Sequence, residues 1–189
     1  CCFYIQQLST PRQLRRQSST SPNAIFVVYY TLGLMSTPTI GFEESTSLAK
    51  SEIALQQLCE AINLFIVGKF LPALTLSGAA EEILGKLLVR QSKKPVVKES
   101  AQSVLALRDK LGLASLSQTT EKGLIDQWNE ARNTAKHLVG AEDEPVTLNL
   151  CDEAYWMIKR ALHNADLLGT PVPNRVEFEN WFIINVGLA

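Results

Sequence analysis

Four side chains that could do chemistry fall within six residues of this chain: Arg132, Asn133, Lys136 and His137. Histidine is the side chain whose unperturbed pKa lies near neutrality, so it can take up and release protons under physiological conditions. A guanidinium is a permanent cation whose planar fork of donors grips two oxygens of one anion. Together they suit proton transfer beside an anionic centre. The stretch lies in a helical pattern with apolar positions at Leu124, Trp128, Ala131, Ala135 and Leu138. On an ideal helix Arg132 falls about 40° from Trp128, Asn133 about 140° and His137 about 180°. Asn133 and His137 therefore share the face opposite the core, with Arg132 and Lys136 on its flank. A lone helical histidine is most often a solvated residue or a hydrogen-bonded core residue. This spacing argues against the core alternative and leaves a solvated histidine or one at a second interface.

The elements that must carry these residues are helical. Ile53, Leu55, Leu58, Ala61, Ile62, Phe65 and Ile66 draw one stripe down a first helix over residues 47–70. Pro72 sits where a second helix opens, and its stripe continues through Leu76, Ala80, Ile83 and Leu87. A third helix is expected over residues 99–110, using Val104, Leu105 and Leu107 and closed by Gly112. The fourth follows the capping residues between Ser117 and Thr120 and runs to about Leu138; the fifth spans residues 150–168 before Gly169. No segment alternates with period two for long. The expected architecture is all-α, an antiparallel helical bundle of about five helices with short connections. A tail over residues 170–189 combines two prolines with Phe178, Trp181, Phe182, Ile183 and Ile184. It must be covered, either by packing back on the bundle or within a dimer surface.

Arg132-Asn133-Thr134-Ala135-Lys136-His137 resembles the R-N-x-x-x-H form of the motif of HEPN domains, small helical bundles that carry it late in the fold. The preceding Ala-Glu-rich stretch from Ser77 to Leu88 and the helix from Asp152 to Ala165 are similar to the family's neighbouring helices. The resemblance covers residues 47–169 and implies a metal-independent endoribonuclease without a cofactor, active as a symmetric homodimer whose two motifs meet. It further implies a defence or toxin–antitoxin setting with a nucleotidyltransferase-type antitoxin as partner. In those terms Arg132 holds the scissile phosphate of RNA, His137 moves the proton, and Asn133 orients the ring or the substrate. Glu81, with Glu82 next, is the supporting acid from the second helix, and Lys136 adds charge. The two glutamates stay unranked, because Glu82 and Lys86 are spaced as an ordinary surface pair. A non-catalytic HEPN-like module binding a nucleotide, RNA or protein is the alternative, and a structural bundle with a chance motif is another.

The bulk properties limit other readings. The chain has 189 residues, 46% hydrophobic and 20% charged, enough for one sizeable core. With 18 basic against 19 acidic side chains it does not coat nucleic acid through bulk charge. Residues 1–34 hold three arginines and no acid, so the remainder is mildly acidic. This segment reads as a non-native or disordered leader ahead of Met35; its apolar run, residues 24–34, is too short to span a bilayer. Residues 35–189 read as a single domain. The four cysteines (Cys1, Cys2, Cys59 and Cys151) and two histidines fit no zinc spacing and suggest a reducing, cytoplasmic compartment. His163, Trp128 and the pair Gly78 and Gly85 read as ordinary polar, packing and close-approach positions.

Overall fold

The computed structural model describes residues 45–113, 118–137 and 145–187. The expectations for residues 1–34 and for the fourth helix ending at Leu138 lie outside them. All regular structure among the described residues is helical. Helix α1, Lys50–Ile66, opens where the Glu52 carboxylate accepts the Ala49 N–H at 2.7 Å. It buries Ala54, Leu58, Ala61, Ile62 and Phe65, while Ile53 and Leu55 straddle that face half-buried. Gly68 takes a left-handed φ of 79°, which lets three residues turn the chain into α2, Phe70–Arg90, packed back along α1.

Helix α2 is sandwiched between α1 and α6 (Leu150–Leu167), and its burial departs from the expected stripe. Its inward face comprises Leu74, Ser77, Gly78, Glu81, Leu84, Gly85 and Leu88, along with Ala73 and Ala80. Leu76, Ile83 and Leu87 are only half-buried. Apolar periodicity turns the helix the wrong way here because the inward face includes a carboxylate and two glycines.

Helix α3, Val96–Leu111, is held mainly by its first turns. Val96 and Ala101 are buried, but Leu107, expected inside, is exposed. The anchor is Asn164 of α6, whose Oδ1 accepts the Val96 N–H at 3.0 Å and whose Nδ2 donates to the Glu81 carbonyl at 3.4 Å. Gly112 ends α3 with a φ of 63°.

The fourth expected helix is interrupted. Helix α4, Glu121–Trp128, starts with the Thr120 hydroxyl accepting the Gly123 N–H, and α5, Glu130–Lys136, follows a break at Asn129. Leu124 and Ala131 are buried as the stripe requires, Trp128 is half-buried and Ala135 is exposed. The short α5 packs mainly on α2, and Ala135 is left exposed among the described residues.

The tail packs back on the bundle. Helix α7, Arg175–Phe182, buries Phe178 completely, and its rings join an aromatic cluster centred on Phe65. Phe65 meets Phe70, Phe178 and Trp181 edge-on at 5.2, 5.4 and 4.6 Å, and Tyr155 stacks on Phe178 and Phe182. Asn174 Nδ2 donates to the Cys59 carbonyl at 2.7 Å, locking the approach to α7. Among the described residues no helix is long and apolar enough to cross a membrane. Phe178→Ala is expected to cost about 3–5 kcal/mol of stability through the lost ring and its cavity, read as a lower midpoint of urea unfolding. An unchanged midpoint would show that the tail does not belong to the cooperative core.

Candidate active site

Glu81 lies on the inward face of α2 and is 5% exposed. A lone buried carboxylate is costly, and two guanidinium groups offset that cost here. Arg132 Nη1 lies 3.6 Å and Arg160 Nη2 3.9 Å from Glu81 Oε2, with side chains 12% and 13% exposed. Arg132 comes from α5 and Arg160 from α6, so one carboxylate ties three helices together. Arg132 Nη1 also donates to the Gly78 carbonyl at 3.4 Å. Its aliphatic stem crosses Gly78 so closely that a Cβ there would lie 2.3 Å from Arg132 Cδ. The glycine is needed for an arginine to pass.

Arg160 is anchored at the break between α4 and α5. Its Nη2 donates to Asn129 Oδ1 at 2.7 Å, and its Nη1 reaches the Trp128 carbonyl at 3.5 Å. Desolvation pushes its guanidinium below the ordinary value, Glu81 opposes that shift, and Arg132 adds to it. The Nε atoms of Arg132 and Arg160 are both buried without a hydrogen-bond partner. Two cations thus share one carboxylate, and the cluster keeps unused donors.

Asn133 connects this buried cluster to the surface. Its Oδ1 accepts from Arg132 Nη2 at 3.4 Å, and the residue is exposed. Together with His137, Thr134 and Gln127 it lines an open depression of about 350 Å³, which also holds Asp126 and Glu130. His137 is exposed at the end of α5, in extended backbone with φ −127°. Among the described residues no hydrogen bond joins Arg132 to His137.

The remaining sequence candidates, Glu82 and Lys136, are exposed and do not line the depression. Glu82 is exposed and pairs with Lys86 at 2.6 Å. That hydrogen bond, with the charges of Lys86, Arg132 and Lys136, holds the Glu82 carboxyl below its usual range. The lowered folded value means that this pair stabilises the fold at neutral pH and ceases to do so as the pH falls through that value. Lys136 is exposed one residue before His137. Burial raises the thiols of Cys59 and Cys151, which suits packing rather than nucleophilic attack. Among the described residues no group of three or more His, Cys, Asp and Glu side chains could hold a metal ion.

Arg160 is the member that sequence reasoning did not single out as a site residue. Its signal was present: Arg160 and Asn164 lie four apart on α6, together at the edge of the stripe formed by Ala154, Met157, Ile158, Ala161 and Ala165. A polar pair bordering a buried stripe demands partners from another element. No family model matches the chain, and neither a curated protein nor a solved structure matches it.

Glu81→Gln is expected to destabilise the protein by about 3–5 kcal/mol, because it leaves two buried guanidinium groups without a carboxylate. Glu82→Gln should cost less than about 1 kcal/mol. Urea denaturation of both variants checks the contrast; equal effects would refute the distinction. Gly78→Ala should push the Arg132 stem away from α2, visible as increased solvent exchange of the Arg132 Nε proton by NMR. An unchanged exchange rate would mean that the stem accommodates a methyl group.

Proposed function

We propose that this protein is a metal-independent endoribonuclease resembling the HEPN type, working as a symmetric homodimer. The observation that carries the reading is the chain of contacts from Glu81 to Arg132 to Asn133, which ends in the depression that holds His137. Glu81 and Gly78 hold the guanidinium in place, and its Nη2 donates to Asn133, which lines the depression. His137 takes the proton of a ribose 2′-hydroxyl as its oxygen attacks phosphorus. The bond from phosphorus to the 5′-oxygen breaks, the 5′-oxygen receives a proton from water or from the second subunit's copy of this histidine, and a 2′,3′-cyclic phosphate remains. Arg132 holds the non-bridging oxygens and Asn133 orients the imidazole or the phosphate. Glu81 is a positioning residue, and Lys136 supplies positive charge beside His137.

A second subunit laid over the outward face of α5 would desolvate His137 and bring a second Arg132 and a second His137 to the same scissile bond. The setting proposed is the cytoplasm, in a defence or toxin–antitoxin pair in which a nucleotidyltransferase-type partner restrains cleavage. One observation favours the non-catalytic alternative, a module that binds a nucleotide, RNA or protein: Asp126 and Glu130 line the same depression as His137, which disfavours polyanions there.

The test is cleavage of single-stranded RNA in excess chelator. The wild type is expected to leave cyclic phosphate ends, and His137→Ala, exposed and harmless to folding, to slow cleavage by about a hundredfold or more. Arg132→Lys should slow it comparably, because a point charge replaces a bidentate fork. Cleavage that persists in both variants would overturn the assignment, and a wild type that binds RNA without cutting it would favour the module.

A further inference from the structure

Helices α3 and α6 enclose a groove distinct from the depression at His137. Two hollows of about 420 and 510 Å³ share Ser100, Trp156 and Arg160 as lining residues and so adjoin each other along the groove. Gln127 lines both the larger hollow and the depression that holds Asn133 and His137. The two hollows and the depression thus succeed one another from His163, by Trp156 and Arg160, to His137.

The groove is chemically unusual in three respects. Trp156 is 63% exposed beside it, although burying such a ring is among the more favourable contributions to a core. The neighbouring Tyr155 meets it edge-on at 5.2 Å, which leaves a ring face open. Lys159 has no ion-pair partner among the described residues, whereas Arg175 at the same end is taken up by Asp166 and Glu179. Arg160 brings a buried Nε without a partner and a charge only half-compensated by the shared Glu81. Two acids line the groove, Asp166, which is paired with Arg175, and Glu153, whose carboxyl is raised chiefly by burial, with Arg160 opposing the rise and Asp152 and Glu130 adding to it. An open aromatic face beside an unpaired ammonium and an under-compensated guanidinium is the arrangement that takes a base on the ring and its phosphate on the cations.

We infer that this groove is a binding track for single-stranded RNA, one base stacking on Trp156 and the adjoining phosphate meeting Lys159 and Arg160. The strand then leads past Gln127 towards His137. This rests on the ribonuclease reading for its choice of nucleic acid, and it names how the substrate is held upstream of the cleaved bond. Such a track explains how a mildly acidic protein handles a polyanion: the favourable contacts are concentrated away from Asp126 and Glu130.

A 2′-O-methyl RNA oligonucleotide lacks the attacking hydroxyl, so its binding can be read by fluorescence anisotropy without cleavage. Trp156→Leu is expected to weaken binding about tenfold, and Trp156→Phe to keep most of the affinity because a ring remains. Lys159→Glu should weaken binding and reduce the slope of log affinity against log salt by about one or more. Lys98→Glu, exposed on α3 outside the groove, serves as the control that leaves binding unchanged. The three side chains substituted, Trp156, Lys159 and Lys98, are partly or largely exposed, so folding is preserved.

Binding by Trp156→Leu equal to that of the wild type would overturn the track, as would a wild type that fails to bind at low salt. The two proposals separate cleanly. A wild type that cuts ordinary RNA while Trp156→Leu binds normally removes the track and spares the ribonuclease. Binding lost with Trp156 in a protein that cuts nothing keeps the track and removes the ribonuclease.

Discussion

The fold depends on how a buried carboxylate is neutralised. Glu81 sits on the inward face of the central helix, and its desolvation must be offset by cations brought from elsewhere in the chain. The two that arrive come from helices separated by a long connection, Arg132 on α5 and Arg160 on α6. Each is then constrained further: Arg132 by the missing side chain at Gly78, Arg160 by the carbonyl of Trp128 and the amide of Asn129. Asn164 closes the set by joining the Glu81 carbonyl to the first turn of α3. An apolar side chain in place of Glu81 could fill the space, but it could not specify which faces of α5 and α6 turn inward. The ion cluster sets register where apolar contact alone is permissive.

The same constraint explains the break at Asn129. A continuous fourth helix would present Leu124, Trp128, Ala131 and Ala135 to one wall. Instead Arg160 meets the chain where α4 ends, and α5 is oriented so that Arg132 runs along α2. Ala131 stays buried because it lies on the side of α5 that Arg132 also uses, and Ala135 turns to solvent. The half-buried Trp128 and the exposed Ala135 follow from satisfying two guanidinium groups before satisfying the apolar stripe.

Much of this was legible in the sequence, and the remainder has identifiable causes. The helical class, Pro72 in the first turn of α2, Gly112 closing α3 and the span of α6 follow from local rules of capping and periodicity. Asn133 and His137 are both exposed, as the spacing predicts, but the continuous helix behind that prediction is not there: it breaks at Asn129, and His137 has already left α5 in extended backbone. The inward face of α2 was not legible, because periodicity counts Leu76, Ile83 and Leu87 as core and has no means of counting Glu81. Ranking Glu81 against Glu82 needed the distances to Arg132 and Lys86. Arg160 escaped because its partners lie on α2 and at the α4–α5 break, far away in sequence. Trp156 carried no signal either: only the position of α3 decides whether a tryptophan on α6 is covered.

Under the ribonuclease reading, the placement of the motif makes catalysis a property of an assembly. The anion grip faces inward, fixed by Glu81 and Gly78 and reached from outside through Asn133. The proton carrier faces outward, in a depression open to water and flanked by Asp126 and Glu130. In the isolated subunit those acids act against an incoming phosphate, and water screens whatever attraction Arg132 exerts at the surface. Covering the outward face of α5 changes both terms at once, since excluding water strengthens the guanidinium's field and a second subunit can contribute further cations to the same pocket. A rigid, charge-dense interior and an exposed proton carrier are then complementary features. The interior preorganises the field, and the exposed histidine leaves control of the reaction to whatever docks on it.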